Sequence, residues 1–307
     1  IDMSQLREAC NRLGHENIRP LAIVGIAGTT ETGNIDPLEE MADFAQEIGC
    51  HFHVDAAWGG PTLFSQTYRH LLKGIERADS VTIDAHKQLY APMGAGLVVF
   101  KDQTALSAIE HHANYILRHG SKDLGSHTLE GSRPGKALLL HAGLSIIGGK
   151  GYELLIDLGI ERAKSFAEMV RQHENFELTS IPELNILTYR YCPLTIQHAL
   201  AHATVAQANE INHLLDQVNR LLQKDQREAG KTFVSRTRLM ALDYQEQITV
   251  LRVVLANPLT TDEILESVLA EQCTIVLQQD IQALLKQIES LCTGIDASCV
   301  AACAQGS

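Results

Sequence analysis

The sequence predicts an α/β fold: a mostly parallel sheet with helices on both faces, followed by a smaller α+β domain. Three observations point there. Short apolar runs alternate with helix-like stretches over the first hundred residues, at the spacing of strand-helix-strand crossovers. The pattern changes near residue 104 to longer helices and then further strands. The 307 residues are 45% hydrophobic and 20% charged, which is the composition of a globular protein and excludes a disordered chain.

Residues 2–16 read as a helix ending near Gly14. Leu21–Ala27, after Pro20, is a continuous apolar run and so a buried strand. A turn-rich loop, Gly28–Gly33, follows. Asp36 is placed to cap a helix with Pro37 at its first position, running to Ile48 before Gly49. His51–Asp55 is a strand, 66–75 a helical stretch, and Ser80–Asp84 and Gly96–Phe100 two more strands. Residues 104–118 look helical, and 119–135 form a polar, Gly-rich loop. Helices over 135–147 and 150–175 break at Gly148-Gly149. Then come a strand (Asn185–Tyr191), a long helix (203–229), strands over 231–239 and 247–255, and helices near 260–270 and 279–292. Thr260 and Glu263 have capping-box spacing. The expected divisions are 1–148 for the large domain, 149–176 for a connecting helix, 177–292 for the small domain and 293–307 for a frayed tail.

The net charge of −12 argues against nucleic acid or an anionic membrane as a partner through bulk charge. No apolar run reaches the roughly 18 residues of a spanning helix. The seven cysteines are scattered and form no CxxC pair, so neither a metal site nor a disulfide framework is expected, and a reducing, cytoplasmic setting fits.

Three loops follow three successive strands and therefore share the carboxyl edge of one sheet, where open α/β sheets bind ligands. Gly28-Thr29-Thr30 offers close backbone approach and hydroxyls, or is simply a tight turn. Asp55 closes an apolar strand and should be largely buried, which calls for a cation or donors beside it. A helix cap or an ion pair with an Arg is the plain alternative. Ala57 points the same way and is small enough for a flat ring to lie on it. Trp58 is better read as core packing. Lys87, beside His86, stands at the end of the next strand. Most lysines are solvated, but one held at a ligand edge is a candidate Schiff-base nucleophile. An Asp facing a pyridinium nitrogen and a covalently bonding Lys are what pyridoxal phosphate (PLP) requires.

The chain resembles the group II PLP-dependent amino acid decarboxylases, of fold type I. The resemblance runs through Gly28–Gly33, His53-Val54-Asp55-Ala56-Ala57, Asp84-Ala85-His86-Lys87 and Gly131-Ser132-Arg133-Pro134, and more weakly through Leu184-Asn185-Ile186 and Leu251–Pro258. It implies that Lys87 bonds to the cofactor, Asp55 pairs with its ring nitrogen and Ala57 packs under the ring. It places Thr30 near the ring hydroxyl or substrate carboxylate, and His86 at the phosphate or beside Lys87. Ser132 is implied to reach the phosphate of the neighbouring subunit's cofactor in a homodimer. Such enzymes often carry Asn or Ser where this chain has Asp84, and an acceptor-only carboxylate suits a phosphate poorly. Their phosphate loop and ring-stacking His lie upstream, so the chain, beginning at Ile1, reads as the C-terminal part of such an enzyme, inactive alone. Between 116 and 132 there is no Tyr for a proton donor; Tyr115, His119 and His127 are the nearest titratable rings.

The resemblance implies α-decarboxylation of an amino acid. It is similar above all to bacterial aspartate 1-decarboxylase-like and glutamate decarboxylase-like members, which makes an acidic substrate the expectation. Arg133 and Arg190 are the candidate cations for its side-chain carboxylate, against structural ion pairing for each. Transamination, aldol cleavage or a truncated, non-catalytic homologue are the alternatives.

Overall fold

The computed structural model describes residues 1–111, 124–128, 134–241 and 246–305. They form two compact units, residues 1–29 with 34–157, and 30–33 with 158–307. The division falls between Asp157 and Leu158, later than the expected 148–149.

In the first unit, α1 (Met3–His15) precedes β1 (Ala22–Ile26), α2 (Leu38–Ile48), β2 (His51–Asp55), β3 (Ser80–Asp84) and β4 (Gly96–Phe100). The sheet order is β1-β2-β3-β4, with β1/β2 and β2/β3 parallel and β4 antiparallel to β3. A short connection takes the chain from β3 to β4, too short for a parallel crossover. The apolar stripe of α2 (Leu38, Met41, Ala42, Phe44, Ala45) is buried with Ile23, Phe52 and Val54. Gly25 lets α2 sit close: a Cβ there would lie 2.9 Å from Leu38 Cδ2. Side chains alternate across each strand, so His51, His53 and Asp55 share the opposite face with Ser80 and Thr82.

Three local expectations change. Asp36 does not cap α2; Pro37 holds the N-cap position, and the Asp36 carboxylate instead accepts from Ile26 N–H at 2.8 Å. The stretch 66–75 holds no continuous helix; the chain from 60 to 77 makes short 3₁₀ turns at Gly60–Phe64, Arg69–Leu72 and Ile75–Arg77. Gly74, with φ of +100°, breaks any continuous helix there. The chain also turns through 3₁₀ at Ala105–Ile109, while the rest of the helix expected there, from 112 onward, lies outside the described residues.

Helix α3 (Lys136–Gln172) is kinked at Gly148 (φ 68°, ψ 169°), at the expected Gly-Gly break. The second unit then adds β5 (Phe176–Leu178), β6 (Ile186–Tyr191), α4 (Leu194–His202), α5 (Val205–Ala229), β7 (Ser235–Ala241), β8 (Glu246–Val254), α6 (Asp262–Ile275) and α7 (Gln279–Gln305). Its sheet is antiparallel, ordered β5-β6-β8-β7. All six residues of β6 are buried. Leu215, Val218 and Leu222 of α5 share one core with Leu251 of β8 and Ile281 and Ile288 of α7. The capping box on α5 joins Thr204 and Gln207, and Gly230 closes the helix at φ 69°. The α6 cap is Thr261, not Thr260, because a turn at Asn257–Thr260 delays the helix by one residue. Helix α7 continues to Gln305 where a frayed tail was expected after 292; Ile288, Cys292 and Ile295 carry its buried stripe past that point.

Candidate active site

The carboxyl ends of β1, β2 and β3 are stitched together by backbone hydrogen bonds. Ala27 N–H donates to Asp55 O (2.8 Å), Ala56 N–H to Thr82 O (2.9 Å), and Asp84 N–H to Ala57 O (3.2 Å). Gln88, buried, donates from Nε2 to Trp58 O (2.7 Å), tying the segment after β3 to the loop after β2. Asp55 and Lys87 therefore stand on adjacent parallel strand ends within one unit.

Asp55 is half-buried rather than largely buried, because its side chain lies on the face bearing His51 and His53 and not on the apolar face. The Ala57 N–H donates to its Oδ1 at 3.0 Å. That bond fixes the carboxylate and leaves Oδ2 to accept from a further donor. Lys87 is half-buried, with Nζ 2.9 Å from Asp84 Oδ2. His86 Nδ1 lies 2.8 Å from Ala95 O. A carbonyl only accepts, so Nδ1 carries the proton and Nε2 faces Asp84 Oδ2 at 3.9 Å. Tyr90, in the same segment, holds a left-handed φ of 55° and donates its N–H to Lys87 O.

The first unit thus brings together Asp55, Ala57, His86 and Lys87. Thr30 groups with the second unit, where its side chain is exposed and its carbonyl accepts from Arg252 Nε at 2.7 Å. Burial lowers the pKa of this Arg252, and the neighbouring Glu31 opposes that. Ser132 and Arg133 lie outside the described residues, as do Tyr115 and His119. His127 Nδ1 is 2.9 Å from Ser126 Oγ. The substrate role expected of Arg190 gives way to the alternative. Its side chain is 1% exposed, with Nε 2.5 Å from Glu177 Oε2 and Nη1 donating to Asn212 Oδ1 at 2.7 Å. A guanidinium so committed is a core ion pair.

One residue of the site escaped the sequence reading, and a second was read without its partner. Gln88 looks like any solvated polar residue, and nothing short of the fold shows its carbonyl partner. Asp84 was visible in the motif but excluded as a phosphate ligand, and its lysine partner follows only from the turn at 84–87.

A lysine and a carboxylate thus stand at neighbouring strand ends, the second held by a backbone amide. The chain belongs to the pyridoxal-dependent decarboxylase family, whose conserved domain matches residues 1–192. It is 62% identical over 275 residues to an aspartate 1-decarboxylase of Aliivibrio fischeri, covering 89% of this chain and 50% of that protein. It is 30% identical over 282 residues to the cysteine sulfinic acid decarboxylase of Mus musculus, covering 89% and 51%. A crystal structure of mouse CSAD in its apo form superposes with a TM-score of 0.78 at 27% identity, covering 88% of this chain and 55% of that one. The chain spans about half the length of the curated relatives it matches. The first unit is part of a fold type I large domain, and the antiparallel second unit is the small domain. Among the described residues, no helix is long and apolar enough to cross a membrane, and no cluster of His, Cys, Asp and Glu could hold a metal ion.

Proposed function

We propose that the protein is a PLP-dependent α-decarboxylase of an acidic L-amino acid, aspartate to β-alanine in preference to glutamate to γ-aminobutyrate. The observation that carries this reading is the pairing of Lys87 and Asp55 on adjacent strand ends, with Asp55 Oδ1 fixed by Ala57 N–H. The identity to the aspartate 1-decarboxylase of Aliivibrio fischeri supports the choice of substrate.

The residues fit the cofactor. Lys87 offers a primary amine for a covalent bond to an aldehyde carbon, and Asp55 Oδ2 offers an acceptor to a protonated ring nitrogen. The methyl of Ala57 leaves room for a flat ring. Bound PLP supplies the electron sink for the pair of electrons left at the α-carbon when carbon dioxide departs. The chain's part is to hold and orient: Lys87 tethers, and Asp55 keeps the ring nitrogen protonated. His86, its Nδ1–H fixed on Ala95 O, turns Nε2 towards the Asp84 carboxylate that Lys87 contacts. Thr30 at the ring hydroxyl or substrate carboxylate, Ser132 at a phosphate across a homodimer, and Arg133 at the substrate's side-chain carboxylate complete the reading. We place the protein in the cytoplasm, the setting that the scattered cysteines without a CxxC pair suit.

Borohydride treatment of the full-length protein with PLP should trap an adduct on Lys87, and a map to Lys101 or Lys122 refutes the assignment. Aspartate, glutamate, diaminobutyrate and tyrosine offered in parallel test the substrate. An amine and carbon dioxide from aspartate support the reading; a keto acid, or preference for tyrosine or diaminobutyrate, overturns it.

A further inference from the structure

Asp84 ends β3 three residues before Lys87. The Lys87 N–H donates to the Asp84 carbonyl at 3.2 Å, and this turn folds position 87 back over position 84. The result is a contact of 2.9 Å between Nζ and Oδ2. On its other side the carboxylate has room that glycine provides. Gly96 is the register partner of Asp84 on β4, and a Cβ at Gly96 would lie 3.1 Å from Asp84 Oδ1. His86 does not compete for Oδ2 in its neutral form. Its one ring proton is on Nδ1, spent on Ala95 O, so Nε2 meets the carboxylate as an acceptor. An ionised carboxylate here is the wrong partner for a phosphate and the right one for an ammonium.

We propose that Asp84 is a positioning residue for Lys87: its carboxylate takes one N–H of the ammonium and holds Nζ at the end of β3, with Gly96 clearing the space that this requires. The proposal rests on the reading of Lys87 as the cofactor-bonding lysine.

The test uses the protein without cofactor. Brief reductive methylation with formaldehyde and cyanoborohydride is followed by peptide mass spectrometry. Lys73, paired with Glu39 at 2.9 Å and remote in sequence from the turn, serves as the internal reference. An amine tethered to a carboxylate at hydrogen-bond distance reaches an aldehyde less freely than one that swings in solvent. Asp84→Asn keeps the shape but replaces a charge-assisted bond with a weaker neutral one, which loosens the tether, so Lys87 should be labelled about twofold or more faster while Lys73 is unchanged. Gly96→Ala, which pushes the carboxylate without removing it, should shift Lys87 in the same direction by less. Equal labelling of Lys87 in the native protein and Asp84→Asn overturns the proposal, as does acceleration of Lys87 and Lys73 together. A PLP adduct trapped on another lysine, with the labelling change at Lys87 intact, refutes the cofactor assignment and leaves the Asp84–Lys87 pair standing.

Discussion

Asp55 and Ala57 act as one device, since the amide of one orients the carboxylate of the other. On the proposed function, removing the carboxylate leaves the tether at Lys87 but takes away the group that keeps the ring nitrogen protonated. In the full-length protein, Asp55→Ala should retain part of its PLP binding and lose about a hundredfold or more in kcat. Turnover within a fewfold of the native protein would show that Asp55 does not face the ring nitrogen. A second residue-scale feature lies along the same sheet face. Ser80 Oγ sits 2.7 Å from His51 Nε2 and 2.8 Å from His53 Nδ1. One hydroxyl has one proton, so the two rings cannot both accept it. The Asp79 carboxylate, an acceptor 4.0 Å from His51 Nδ1, favours one direction, and Thr82 Oγ1, 3.4 Å from His53 Nε2, is compatible with it. Thr82 donates to His53, His53 Nδ1–H to Ser80, and Ser80 to His51, whose Nδ1–H points towards Asp79. Nitrogen NMR of the imidazoles should therefore find both rings protonated at Nδ1. Ser80→Ala should move both towards the Nε2–H form that free imidazole side chains favour; unchanged nitrogen shifts would refute the shared hydroxyl.

At the scale of elements, the second unit is locked by a chain of buried polar side chains. Tyr189 of β6 donates to Gln272 Oε1 of α6 (3.0 Å), Gln272 Nε2 to Gln226 Oε1 of α5 (3.0 Å), and Gln226 Nε2 to Thr232 Oγ1 (2.7 Å). Thr232 in turn donates to the Glu271 carboxylate. Each link pairs a donor with an acceptor, which makes the network costly to cut. Gln272→Leu strands the Tyr189 hydroxyl and the Gln226 carbonyl and should cost about 2–4 kcal/mol, read as a lower denaturant midpoint with an unchanged slope. Adding Tyr189→Phe should recover part of the loss, because one stranded group is then removed. A midpoint that does not move would show that the network is not tight. None of this was legible in the sequence. Gln226 and Gln272 lie in helices whose polar residues are ordinarily solvated, and only tertiary partners make them core. Arg190 misled for the same reason, since Glu177 and Asn212 come from a neighbouring strand and a distant helix. The strands and long helices were legible, because apolar runs and 3.6-residue stripes report burial directly. Local terms failed where a competing contact decided the outcome: Asp36 bonded to β1 instead of capping α2, and Gly74 broke a helix-like stretch into 3₁₀ turns.

For the whole molecule, the strand-end motifs made the lysine and aspartate legible, because sheet order alone brings them together. The grouping of Thr30 with the second unit, its carbonyl accepting from Arg252 Nε, was not legible, because the two residues lie far apart in the sequence. The two units also differ in their ionisable cores, and this sets the response to alkali. Burial pushes the Cys192 thiol up to about 12 and the Tyr191 phenol up to about 12, and raises the buried Tyr189 as well. All three belong to the second unit. Each group is neutral in the folded state over a range where it is ionised in the unfolded chain. The unfolded state then binds fewer protons, so stability falls as pH rises. The stabilisation is intact below the ordinary thiol value of 9.0 and is lost progressively from there towards 12. Cys192 alone corresponds to a loss on the order of 4 kcal/mol at the top of that range. The first unit has milder cases, Cys50, Tyr90 and Tyr152, each raised by burial. The second unit should therefore open first on alkaline titration. The single tryptophan, Trp58, lies in the first unit and reports on it alone by fluorescence, whereas phenolate absorbance follows the tyrosines, including Tyr189 and Tyr191. Phenolate absorbance should rise at a pH where Trp58 fluorescence is still native-like, and Cys192→Ala should move that first transition to higher pH while leaving the second in place. A single coincident transition, or one that ignores Cys192→Ala, would mean that the β6 core does not govern the alkaline limit.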